Sequence, residues 1–319
     1  MSRVPERHHD ASGATPSCHG DPPLPARLEP WRTSLAADHG RCHTLLARYG
    51  SPVHLHSVDP FLRNVESLAA VGGACDLDLR VFFARKANKA LAYVRAARAA
   101  DIGVDVASQE ELEQSLELGV PPARMVLSAA VKPDPVLRLA SRTGTTVVLD
   151  HLDEVRRLRS IASAEGVRVP VAIRLHGFDA PEPGAESRFG FHVDDLDELL
   201  MVLARDAEED GLDVRGLHFH LDGYDGPARV RALDQSMAIA STLRSAGFAI
   251  EFIDMGGGFP VSYLRNDSAW TTFLDQLDRA LLLERPPITW RNEGFGRRLH
   301  GPQLVGEPAV YPHYQSPTG

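Results

Sequence analysis

The chain has 319 residues, 43% of them hydrophobic, enough to bury a large core as one big domain or two. Its formal charge of -9 argues against a nucleic-acid or anionic-membrane surface as partner. Cys18, Cys42 and Cys75 are odd in number and lack CxxC spacing, no apolar stretch approaches the roughly 18 residues of a membrane span, and no signal-peptide core opens the chain; a cytoplasmic protein without disulfides or structural zinc is expected.

Residues 1–28, rich in Pro, His, Ser and Gly, predict a flexible arm; a solvated tail suits His8, His9 and His19, and His39 and His43 just beyond, better than a metal site. From Tyr49 onward short β-rich runs alternate with helical patterns, as in a parallel sheet of βα units. A first short strand is expected at Val53 to His56. Further strands are expected at Arg80 to Arg85, Gly103 to Val106, Met125 to Ala129, Thr145 to Leu149, Val169 to Leu175, Val214 to Leu221, Ile250 to Met255 and Ile288 to Asn292. Helix spacing fills the intervals: Leu112, Leu116 and Leu118; Val155, Leu158 and Ile161; Leu196, Leu199, Leu200 and Leu203, with Asp194 as a cap. The count is about eight, and the expected fold is α/β, a (β/α)8 TIM-type barrel over residues 29–300 followed by an irregular, Pro- and Gly-rich tail over 301–319.

Chemically capable residues gather where these strands end: Lys86, Asp105, Asp150, Arg174, His220, the Gly256-Gly257-Gly258 run and Glu293. In a barrel the C-terminal face of the strands builds active sites, and although any one such residue is more often structural, seven in register are hard to dismiss. Lys86 closes the apolar run Val81 to Ala84. A lysine at a strand tip ordinarily snorkels to solvent, whereas a desolvated one falls below its usual pKa of about 10.4 and becomes a good imine former. Three consecutive glycines leave backbone N–H groups unshielded, a nest suited to phosphate after the seventh strand of a barrel, and Arg297 in the next loop could add a charge-assisted contact. The spacing is not that of a dinucleotide-binding fingerprint. A phosphate seat, an imine-forming lysine, an imidazole able to stack and an opposing carboxylate together describe a pyridoxal 5'-phosphate site.

Several segments then carry a specific resemblance: Tyr49-Gly50-Ser51-Pro52, Phe83 to Asn88, Gly103 to Ser108 with Glu111, Arg174, Arg188-Phe189-Gly190, His218-Phe219-His220, and Asp254 to Pro260. From about Tyr49 to Arg297 the chain resembles the ornithine, diaminopimelate and arginine decarboxylases, whose barrel is of the alanine-racemase type. The resemblance implies that Lys86 holds the cofactor as a Schiff base, that His220 stacks on its ring, and that Gly256, Gly257 and Gly258, with Gly296 and Arg297, bind its phosphate. It implies that Glu293 pairs with the pyridinium nitrogen and that Asp105 and Arg174 support the ring. A carboxylate at the nitrogen keeps the ring protonated and able to accept electrons, which favours decarboxylation; a racemase of the same fold would carry an arginine there.

Two segments depart from the family pattern. Leu221-Asp222-Gly223-Tyr224 replaces a Gly-Ser after the histidine, and Glu293 to Arg297 carries one extra residue relative to Glu-Pro-Gly-Arg. A second, β-rich domain that in the family lends groups to the partner subunit's site is expected to be missing after Gly319. The resulting expectation is a pyridoxal phosphate-dependent amino-acid decarboxylase, working as a homodimer or with a partner carrying the β domain, with its amino acid unnamed. The alternatives are a racemase of the same fold and a non-catalytic pyridoxal phosphate carrier.

Overall fold

The computed structural model describes residues 20–179, 189–204, 211–221, 223–316 and 318. Residues 1–19 of the expected arm, Arg188 and Asp222 lie outside these. In chain order the elements are α1 (Pro30–Ala37), α2 (His39–Tyr49), α3 (Asp59–Ala74), β1 (Phe82–Ala84), α4 (Leu91–Ala99), β2 (Gly103–Val106), α5 (Gln109–Glu117), β3 (Met125–Leu127), α6 (Asp134–Thr143), β4 (Thr146–Leu149), α7 (Leu152–Glu165) and β5 (Val169–His176). Then follow β6 (Phe191–His192), α8 (Leu196–Ala204), β7 (Leu212–Phe219), α9 (Gly226–Ser245), β8 (Phe252–Asp254), α10 (Asp267–Leu281), β9 (Arg298–His300) and β10 (Gln303–Val305). They fall into two compact units, Val58–Gly258 and a smaller one built from the described residues of Met1–Ser57 and Phe259–Gly319.

The larger unit is a curled, parallel half-barrel sheet in the order β1-β2-β3-β4-β5-β7-β8, with β6 added to the end of β5. Its strands are near-continuous apolar runs because helices cover one face and a thin apolar layer with Val126, Val148 and Ala172 lines the other. Leu112 of α5, Leu137 of α6 and Leu158 of α7 are fully buried against Leu127, Leu149 and Ile173, each contributing roughly 1.5–3 kcal/mol by leaving water. Two helix starts share one device. Ser108 accepts the Glu111 N–H, and Glu111 reaches back to the Ala107 N–H at 2.8 Å; His151 accepts the Glu154 N–H, and Glu154 reaches back to the Asp150 N–H at 2.9 Å. Each is a variant of the capping box: the cap side chain satisfies an open donor of the first turn, and the returning carboxylate holds the N–H of the residue before the cap.

The expected α/β class and barrel-type sheet are found, with corrections in detail. Val53 to His56 forms no strand. Ile288 to Asn292 is not the eighth strand: Trp290–Asn292 is a 3-10 turn in which Arg291 and Asn292 have φ of 54° and 55°, and two successive left-handed residues cannot continue an extended chain. Asp194 is no helix cap but lies inside the 3-10 turn Val193–Asp195, which His192 caps. In the smaller unit, residues 20–28 are tied down rather than free: Ala26 bridges Leu264, and the Arg27 N–H donates to Tyr263 at 2.7 Å. Part of the expected irregular tail is regular, since β10 pairs antiparallel with β9 and the His313 carbonyl accepts from Tyr263. Among the described residues no helix is long and apolar enough to cross a membrane.

Candidate active site

Strand alternation sorts the sheet of the larger unit into two faces. One carries Val104, Leu127, Leu149, Ile173 and Leu217 into the core beneath the helices. The other carries a thin apolar layer of Val126, Val148 and Ala172, with Phe252 packed on it. Two residues further along each strand the same face turns polar, at Ser128, Asp150, Arg174 and Asp254, and His218 stands in register between the last two. Asp105, opposite Val126, belongs to this face as well.

Charge pairing organises the polar layer. Lys86, in the 3-10 turn that follows β1, places Nζ 3.6 Å from Asp105 Oδ2, and Asp105 Oδ1 accepts from the Ser128 hydroxyl. Burial pushes the Asp105 carboxyl upward, against the Ser128 hydrogen bond and the charges of Lys86 and Arg174. Arg174 lies 3.6 Å from Asp150 and stacks over the Phe189 ring at 4.9 Å; a cation over an aromatic face contributes about 0.5–2 kcal/mol. Gly190 permits this approach, since a Cβ there would sit 2.7 Å from the Arg174 carbonyl. Burial, with the nearby cations, pulls His218 down to about 3, so its imidazole is neutral at pH 7. Asp254 is pushed up to about 6, chiefly by burial.

The glycine run follows β8 directly. Gly256 has φ of 65°, and a Cβ on it would meet the Phe219 carbonyl at 2.6 Å and His220 Nδ1 at 2.9 Å, so glycine is what lets the loop pass beside His220. A Cβ on Gly257 would, among the described residues, meet nothing within 4 Å beyond its chain neighbours. Among the described residues, neither Gly257 nor Gly258 donates its N–H to a protein acceptor. The larger unit thus gathers Lys86, Asp105, Arg174, His220 and the three glycines. Glu293, Gly296 and Arg297 belong to the smaller unit, where the Phe295 N–H donates to Glu293 at 3.0 Å and Arg297 pairs with Asp278.

The expectation that burial desolvates Lys86 is not met: its side chain is 54% exposed, because the strand ends at Ala84 and the turn carries Lys86 outward, while Arg85 takes the buried place and bonds to the Glu111 carbonyl and Gln114. Sequence reasoning also missed three groups. Ser128 could have been found by counting two residues on from Val126. Lys132 and Glu154, an ion pair at 2.8 Å with no exposure on either side chain, are 22 residues apart and give no local signal. Arg229 of α9 donates to the carbonyls of Met255 and Gly257.

An aldehyde needs an accessible amine, a phosphate needs unshielded N–H donors, and a heteroaromatic ring needs polar walls. Lys86, the glycine run and the Asp105, Arg174, His218 and Asp254 layer supply these, and Asp150 Oδ1 and Oδ2 and His218 Nδ1 are buried without a hydrogen-bond partner. These residues fit pyridoxal phosphate. Among the described residues no group of three His, Cys, Asp or Glu could hold a metal ion.

Residues 64–283 match the family model described as pyridoxal-dependent decarboxylase, pyridoxal binding domain. The protein y4yA of Sinorhizobium fredii is 32% identical over 68% of this chain and 46% of its own length, and the diaminopimelate decarboxylase of Pseudomonas aeruginosa is 29% identical over 68% and 53%. The chain therefore spans about half the length of these curated relatives. Among solved structures, the lysine decarboxylase of Selenomonas ruminantium superposes with a TM-score of 0.60 at 23% identity, covering 76% of this chain and 63% of that one. The chain belongs to the pyridoxal-dependent decarboxylase family and carries its pyridoxal-binding domain.

Proposed function

We propose that the protein decarboxylates an amino acid, with Lys86 as the amine that carries pyridoxal phosphate. The observation that carries this reading is the Lys86 amine beside Asp105, on the sheet face that also presents Arg174, His218 and Asp254 and ends in the glycine run. Bound there, the cofactor supplies a conjugated ring that takes up the electron pair left at Cα when the carboxylate leaves as CO2. Asp105 would hold the Lys86 ammonium near the strand ends, and Ser128 keeps that carboxylate oriented. His218, neutral through burial, adds a polar wall without a charge. Arg174, held by Asp150 and Phe189, would support the ring with positive potential, and His220, beside Gly256, would offer its imidazole face. Glu293 is assigned to the pyridine nitrogen, and Gly296 and Arg297 to the phosphate, on the sequence motif alone.

The substrate is an amino acid, with diaminopimelate, lysine and arginine as first candidates because the relatives and structural neighbours are named for them. A homodimer is the assembly proposed, and the unpatterned cysteines support a cytoplasmic home. Borohydride treatment of the cofactor-loaded protein should abolish its visible absorbance and leave the label on Lys86, and the protein should release CO2 from one member of an amino-acid panel. A Lys86→Ala protein that keeps the reducible absorbance would refute the anchoring role.

A further inference from the structure

We propose that Arg229 is a positioning residue of the phosphate seat, holding the glycine run so that the Gly258 N–H faces the anion; this rests on the reading of that run as the seat. Arg229 reaches from α9 to the loop after β8. Its Nη1 donates to the Met255 carbonyl at 2.8 Å, and its Nη2 to the Gly257 carbonyl at 3.0 Å and the Gly258 carbonyl at 3.5 Å. In a trans peptide the N–H points opposite to the C=O of the same plane. A guanidinium on the Gly257 carbonyl therefore turns the Gly258 N–H away from Arg229, and one on the Met255 carbonyl does the same for the Gly256 N–H. That second N–H is found on the far side, donating to Asp254 Oδ1 at 2.8 Å.

The loop needs an outside clamp. Gly256 and Gly258 have φ of 65° and 89°, and three residues without side chains have nothing of their own to fix the peptide planes. A nest of N–H groups binds an anion well only if it is already formed when the anion arrives. The guanidinium fork is suited to bridging several carbonyls at once, which an ammonium on a flexible stem is not. Because Nη1 and Nη2 are directed to carbonyls, Arg229 acts on the phosphate through the loop.

The test compares binding of pyridoxal phosphate with that of pyridoxal, which lacks the phosphate, using the full 319-residue chain. The unaltered protein should prefer pyridoxal phosphate. Arg229→Met should weaken pyridoxal phosphate about tenfold or more, the effect of losing a charge-assisted hydrogen bond, while leaving pyridoxal within about twofold; Arg229→Lys should fall between. Gly257→Ala tests the seat itself: among the described residues the added methyl meets no atom within 4 Å beyond its chain neighbours, so a ligand held there is what would feel it. If Gly257→Ala leaves the preference intact, the glycine run is not the seat and the proposal falls with it. If Gly257→Ala lowers the preference and Arg229→Met does not, or Arg229→Met weakens both ligands equally, the role of Arg229 alone is overturned. Should Arg229→Met fail to fold, an unchanged preference in Arg229→Lys overturns the proposal in its place.

Discussion

Replacing Lys132 with methionine should destabilise the protein far more than removing the exposed lysine Lys86. Lys132 donates to both oxygens of Glu154, at 2.9 and 2.8 Å, and neither side chain has any exposure. Burial pulls the Lys132 pKa down, with Glu154 and Asp150 opposing it, so the pair stands where charge is costly and the partner is what makes it tolerable. Lys132→Met keeps the volume and deletes the cation. Glu154 would then hold a carboxylate in the core with the Asp150 N–H as its backbone donor. Breaking a buried pair from one side costs about 3–5 kcal/mol, about a fifth or more of a typical total stability of roughly 5–15 kcal/mol. Glu154→Gln in the same chain removes the stranded charge and keeps an acceptor for Asp150, so the double variant should regain most of the loss. Urea unfolding of the cofactor-free protein, arranged as a double-mutant cycle, measures this. A loss under about 1 kcal/mol for Lys132→Met, or a double variant no more stable than the single, would refute the reasoning.

Three further outcomes follow from the same geometry. Lys86→Ala should change stability by less than about 1 kcal/mol in urea unfolding, because its pairing with Asp105 is half-exposed, while abolishing reducible cofactor absorbance. Asp254 has a folded-state pKa near 6 against an ordinary 3.8, so the stability it contributes is fully present below about pH 4 and is lost as pH rises through about 6. Asp254→Asn should therefore gain on the unaltered protein across that window, by up to about 3 kcal/mol, and a pH-independent difference would contradict it. Glu293→Gln should leave cofactor binding largely intact yet slow decarboxylation by about two decades or more, read from CO2 release; an unchanged rate removes Glu293 from the site.

Much of the larger unit is legible in the amino-acid sequence. Gly103–Val106, Thr146–Leu149 and Val169–His176 are strands where apolar, β-branched runs sit between helical patterns, and a chain that alternates in this way has few other folds open to it. The Gly256 to Gly258 run and the residue types at the strand ends are visible for the same reason: composition and spacing are local. Ile288 to Asn292 shows where local reading stops, since an apolar run becomes a strand only if its backbone stays extended and a neighbour pairs with it, and Arg291 and Asn292 turn left-handed instead. The exposure of Lys86 depends on where β1 stops, at Ala84 rather than at the Arg85 that its apolar run suggests. Lys132 and Glu154 lie 22 residues apart and Arg229 lies 28 from Gly257. Charges that far apart in the chain look like solvated surface groups until folding brings them together, and only burial of the whole set decides whether each becomes a solvated group, a core ion pair or a clamp on a loop.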